Sequence, residues 1–172
     1  DVAEVVAAFR RALPGVDLAL TTNGQRLDRH LDDLAKAGLD RATVHVDTLR
    51  KDRYPSLMGE GDPSAVIELA LAAKGRLREV KLNVVAQRGL NDDELLDFLA
   101  LSARTGLEVR FIELMDTGSA PAHVQRTFLS GRDVVARIAA ERPVSKLPRR
   151  RDSDPASLYR CDDDGTVFGL IA

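Results

Sequence analysis

A helical pattern that hands over to a short strand, repeated along most of the chain, is the feature that most limits how this sequence can fold. Val2, Val5, Val6 and Phe9 recur at helical spacing, Pro14-Gly15 stops them, and VDLALTTNG follows as a strand closed by Asn23-Gly24. Leu27, Leu31, Leu34 and Ala35 share the next helical face, Gly38 suits its C-cap, and ATVHVD is the second strand. After the Pro- and Gly-punctuated YPSLMGEGDP, the helical SAVIELALAAKG leads to VKLNVVAQR. NDDELLDFLALSARTG, with Asn and Asp suited to a helix start and Gly106 to its end, then leads to LEVRFIELMD, and a last helix, SGRDVVARIAAER, stops at Pro143. Strands alternating with helices need crossover connections, so the class is α/β with about four parallel strands. The 172 residues fall short of the roughly 200 to 250 of a complete α/β barrel.

Beyond Pro143 the pattern changes. KLPRRRDSDP reads as a polar, Pro-bounded linker, and SLYRCDDDGTVFGLI as two short antiparallel strands around an Asp-Gly turn. The expected division is a partial barrel over residues 1–143 and, over 144–172, a linker and the start of a C-terminal extension. The run Arg149 to Arg151 reads as solvated linker in preference to a phosphate contact. The chain starts at Asp1 without Met and ends inside the apolar run GLIA, so both ends are expected to continue in a longer protein.

Composition narrows the function classes. Lys and Arg number 25 against 27 Asp and Glu, a formal net charge of −2, which gives no general electrostatic reason to bind nucleic acid or an acidic membrane. One cysteine, Cys161, excludes an intrachain disulfide framework and a metal cluster held by several thiolates of this chain. With no apolar stretch near the roughly 20 residues of a membrane span and no signal-peptide pattern, a reducing, cytoplasmic setting is expected. Metal-ligand spacing, a nucleophile elbow and a phosphate-cradling Gly-rich motif are all absent, so no metal site is expected; GEG at residues 59–61 is too short, and Asp162 to Asp164 reads as a turn.

Polar residues inside the strands point to a site. In VKLNVV, Val80, Leu82 and Val84 share one face, while Lys81 and Asn83 share the other and cannot be left unpaired in an apolar core. Thr43, His45 and Asp47 oppose Val44 and Val46 in the same way. Thr21 and Asn23 lie near the C-terminal end of the first strand, and Glu113 and Met115 near that of the last. In a parallel barrel the inward face near the strands' C-terminal ends lines a ligand-holding mouth. Thr21, Asn23, His45, Asp47, Lys81, Asn83, Glu113 and Met115 are therefore expected to line it. A competing reading makes Lys81 a structural ion pair with Glu113 or Asp47, and a lone strand histidine such as His45 a hydrogen-bonded core residue. His30 and His123 read as solvated surface.

LALTTNG, VHVDTL, VKLNVVAQRGLNDDEL and above all VRFIELMDTGS resemble the GTP 3′,8-cyclases, radical S-adenosylmethionine (SAM) enzymes also called molybdenum cofactor biosynthesis protein A. The resemblance runs from about Leu18 to Met115 and continues weakly through LSGRDVVARI and VFGLIA. It implies an incomplete, triosephosphate-isomerase-like barrel with a C-terminal extension, and a lyase that uses SAM and two [4Fe–4S] clusters. A radical made from SAM takes a hydrogen from the GTP ribose, and the substrate cyclises onto its guanine. Carried over residue by residue, Thr21 and Lys81 fall at GTP contacts and Met115 at a SAM contact. His45 falls at another SAM contact, where the family usually has Ser in VSLD or VSVD. Neither cluster motif lies in these residues, so the chain alone is expected to be inactive, and the resemblance allows a homodimer. Another radical SAM enzyme, or a cluster-less nucleotide-binding or interaction module, are the alternatives.

Overall fold

Apolar residues at alternate strand positions demand a layer of helices on one side, and the chain supplies it. In the computed structural model, which describes residues 1–115, 125–149 and 154–172, the chain runs α1 (Val2–Ala12), β1 (Ala19–Thr22), α2 (Leu27–Lys36), β2 (Arg41–His45), α3 (Tyr54–Met58), α4 (Pro63–Lys74) and β3 (Glu79–Ala86), then α5 (Leu95–Thr105), β4 (Glu108–Glu113), α6 (Gly131–Glu141), β5 (Val144–Leu147), β6 (Ser157–Cys161) and β7 (Val167–Ile171). His123, Arg150 and Arg151 lie outside the described residues. Side-chain caps set the helix starts: Asp1 accepts from the Ala3 N–H, Asp62 from the Ser64 N–H ahead of Pro63, and Ser130 from the Asp133 N–H. Gly106, left-handed at φ 65°, ends α5 as its sequence position suggests. None of the described helices is long and apolar enough to cross a membrane.

The strands form one sheet in the order β1-β2-β3-β4-β7-β6-β5, with β1 to β4 and β7 parallel and β7, β6 and β5 antiparallel. Val44, Leu82, Val84, Val109 and Phe111 alternate onto one face and are buried with Leu34, Phe98, Leu99 and Ile138 from the helices.

The C-terminal segment departs from the sequence reading. The antiparallel element is present, but it is continuous with the barrel-like sheet: β7 lies parallel to β4, Phe168 beside Val109 and Leu170 beside Phe111. Val144 to Leu147, which overlaps the expected linker, is strand β5. The physical reason is the core. Phe168 is fully buried and meets Phe111 edge to face at 6.0 Å, and Phe111 meets Phe98 the same way at 6.3 Å, joining α5, β4 and β7. Gly169 permits the close approach, because a Cβ there would stand 2.9 Å from Arg110 Cγ. We predict that Phe168→Ala costs about 3 to 5 kcal/mol in one cooperative urea transition. A second, separate transition for residues 144–172 would contradict the shared core.

Candidate functional site

Side chains of the opposite parity from the core look out from the helix-free face of the sheet, and the register arranges them in rows. Thr21, Thr43, Lys81 and Glu108 form one row across β1 to β4. One step towards the strands' C-terminal ends, His45, Asn83, Arg110 and Gly169 form the next. Most of these residues are half-buried or exposed; apart from Gly169, Lys81 is the exception, with its side chain only 7% exposed.

A chain of alternating charges runs across this face. Asp17 pairs with Arg41 at 2.8 Å, and Arg41 approaches Glu79 at 3.7 Å. Lys81 Nζ stands 3.0 Å from Glu79 Oε1 and 3.3 Å from Glu108 Oε1, and Arg110 Nε donates to that same Glu108 oxygen at 3.0 Å. Lys81 is thus held by carboxylates of its own and the next strand, not by Glu113 or Asp47. Period-two alternation puts Glu79 and Lys81 on one face, and the register carries Lys81 to Glu108.

At the next level His45 Nε2 lies 2.7 Å from Asp47 Oδ1. Asp47 is buried and also accepts from the Val85 N–H at 2.7 Å, so it ties β2 to β3 while orienting the imidazole. That bond raises the His45 pKa above the ordinary histidine value, against the opposing effect of burial. Between His45 and Arg110, Asn83 Oδ1 is a buried acceptor without a hydrogen-bond partner among the described residues.

A polar clasp fixes the loops at this end, and sequence reasoning missed it. Asn91, read only as part of a helix start, donates from Nδ2 to the carbonyls of Asp47 at 2.6 Å and Val85 at 2.9 Å and accepts from the Gln87 N–H at 2.7 Å. Glu94, completely buried, accepts from Thr48 Oγ1 and the Leu49 N–H, each at 2.7 Å, and from Arg53 at 3.1 Å. Its signal was a carboxylate two residues ahead of the apolar run LDFL, at a point where an ordinary N-cap would sit. It makes no cap bond to its own helix. The charge row on Glu79, Glu108 and Arg110 was legible as alternation but was not read.

The other expected mouth residues divide between the helix side of the sheet and the exposed strand ends. Glu113 is corrected: it has the parity of Phe111 and faces the helices, where Oε1 accepts from the Gly131 N–H at the start of α6, a position whose dipole favours a carboxylate. Asn23 is exposed and accepts from the Gln25 N–H, closing the turn after β1. Thr21 is exposed on β1, and Met115, just past β4, is 74% exposed. Cys161 is fully buried on β6, and burial pushes its thiol pKa up. Of its neighbours, Asp163 and Asp164 are paired with Arg142, which holds the Asp164 carboxyl at about 2. One buried thiol beside a salt-bridged pair does not fit an iron–sulfur cluster. The orphaned Asn83 acceptor beside the half-exposed His45 does fit the hydroxyl or amino donors of a nucleoside cofactor such as SAM.

The raised pKa of His45 has a definite sign. The ion pair stabilises the fold fully below about pH 6.5, the value of a free histidine, and that contribution is lost as pH rises through the folded-state value. Imidazole titration by NMR should place His45 above the free value and Asp47→Asn should lower it. Identical titration of the two proteins would contradict the pairing.

The chain is similar in sequence and in fold to known proteins. The chain is 40% identical over 159 residues to GTP 3′,8-cyclase 3 of Mycobacterium tuberculosis, covering 91% of this chain and 41% of the relative. It is 40% identical over 164 residues to GTP 3′,8-cyclase of Moorella thermoacetica, covering 93% and 50%. Against the enzyme of that name from Stenotrophomonas maltophilia K279a it is 37% identical over 174 residues, covering 100% and 53%. The chain therefore spans about half the length of the curated relatives it matches. Among solved structures, Streptococcus suis SuiB bound to its precursor peptide SuiA matches 81% of this chain and 31% of its own with a TM-score of 0.63 at 14% identity. SuiB bound to S-adenosylmethionine matches 65% and 26% with a TM-score of 0.54 at 18% identity, a likeness of fold. Residues 1–102, more than half of the sequence, match the profile of the radical SAM superfamily, and the chain belongs to that superfamily.

Proposed function

We propose that this chain is the central, substrate-facing portion of a GTP 3′,8-cyclase, a radical SAM lyase that converts GTP to (8S)-3′,8-cyclo-7,8-dihydroguanosine 5′-triphosphate in molybdenum cofactor biosynthesis. The observation that carries the reading is Lys81, a buried ammonium on the helix-free face of a sheet whose sequence matches enzymes of that name over nine-tenths of the chain. Its two carboxylate neighbours hold it in place without a ligand, but they leave it on the face that a ligand would meet. A ligand with phosphate oxygens suits that position, since an ammonium is a compact, strongly hydrated point charge that binds them well.

In this reading Lys81 binds the triphosphate of GTP, and Thr21, in the same row two strands away at about 10 Å by strand spacing, contacts another part of the nucleotide. His45 and Met115 contact SAM, Asp47 holds the imidazole, and the Asn83 carboxamide accepts from a ligand donor at the level of His45. Asn23, on the turn after β1, stands at the rim of the same mouth. SAM would supply the radical chemistry; these residues bind and orient. The chain's single thiol cannot hold the clusters that such an enzyme uses, so these residues alone are inactive.

The test is the GTP affinity of Lys81→Ala in the intact parent protein by calorimetry. A loss of about 1.5 to 3 kcal/mol, the range for a hydrogen bond to a charged group, with little change for SAM, is expected. An unchanged GTP affinity would return Lys81 to a structural role.

A further inference from the structure

Lys81 has two carboxylates within ion-pairing distance before any ligand arrives, and each is shared. Glu79 bridges Arg41 and Lys81, and Glu108 bridges Lys81 and Arg110, giving the alternation Arg41, Glu79, Lys81, Glu108, Arg110 along one face. Glu108 and Arg110 are each 13% exposed and Lys81 7%, so their charges are weakly screened by solvent. A phosphate oxygen in hydrogen-bonding contact with Lys81 Nζ would stand within about 6 Å of the Glu108 carboxylate, close enough for strong repulsion between like charges.

We propose that Glu79 and Glu108 are resident counter-anions of Lys81 that the triphosphate of GTP displaces, and that Glu108 thereby sets how tightly the phosphates bind. This rests on the reading of Lys81 as a phosphate contact. In the ligand-free state the carboxylates pair the buried ammonium and orient it. When a more highly charged anion enters, Lys81 exchanges carboxylate for phosphate, while Arg110 retains Glu108 and draws it aside. The exchange favours the ligand with most phosphate charge, so the ladder discriminates GTP from GDP and from guanosine.

The ladder as a mere brace predicts the opposite sign. Glu108→Gln keeps the shape and removes one opposing charge. In the intact, cluster-loaded protein it should tighten GTP binding by about fivefold, with a smaller gain for GDP and none for guanosine, all measured by calorimetry. Glu79→Gln is the second variant, expected to move affinity in the same direction. Unchanged or weaker GTP binding in both, or an equal gain for guanosine, would overturn the inference while leaving the Lys81 contact standing. If Lys81→Ala leaves GTP affinity unchanged, the contact itself falls and the inference falls with it.

Discussion

A single buried ammonium constrains the ligand-facing side of this sheet. Lys81 stands on the polar face of β3, where the fold brings Glu79 and Glu108 within 3.3 Å of its ammonium. Because the neighbouring strand supplies one of those carboxylates, the pair also fixes register: sliding β4 by one residue would turn Glu108 to the helices and leave the ammonium short of a partner. The same alternation keeps Phe111 in the core beneath it. Packing and electrostatics therefore specify one strand alignment between them.

Further along the strands, the site is made rigid by backbone satisfaction. Asp47 accepts from the Val85 N–H and Asn91 donates to the Val85 carbonyl, so both polar groups of a residue near the end of β3 are taken up by side chains from the adjoining loops. Glu94 accepts from the Thr48 hydroxyl and the Leu49 N–H on the loop after β2. Buried networks of this kind are costly when incomplete and specifying when complete. Here they hold the His45 imidazole beside an unfilled acceptor on Asn83.

The helix–strand rhythm and the separation of strand faces could be read from the sequence because both rest on local periodicity. VKLNVV put Lys81 and Asn83 on the polar face, and the structure has them there. Partner identity was less legible: Glu79 lies two residues from Lys81 and Glu108 is distant in sequence, and only the register of β3 on β4 shows that both reach it. Glu113 was misplaced because its charge suggested the polar face although it shares the parity of Val109 and Phe111, and the helix start it serves at Gly131 is eighteen residues away. The place of β7 beside β4 was hidden for the same reason. VFGLI announces a strand, but nothing local says that Phe168 must meet Phe111.

On the reading proposed above, the charged, helix-free face of this sheet receives the phosphates of GTP at Lys81. A crystal structure of the intact, cluster-loaded protein with GTP tests it most directly. A phosphate oxygen is expected within about 3 Å of Lys81 Nζ, with the carboxylate of Glu79 or Glu108 withdrawn from the ammonium. GTP bound elsewhere, with Lys81 still held between both glutamates, would contradict it.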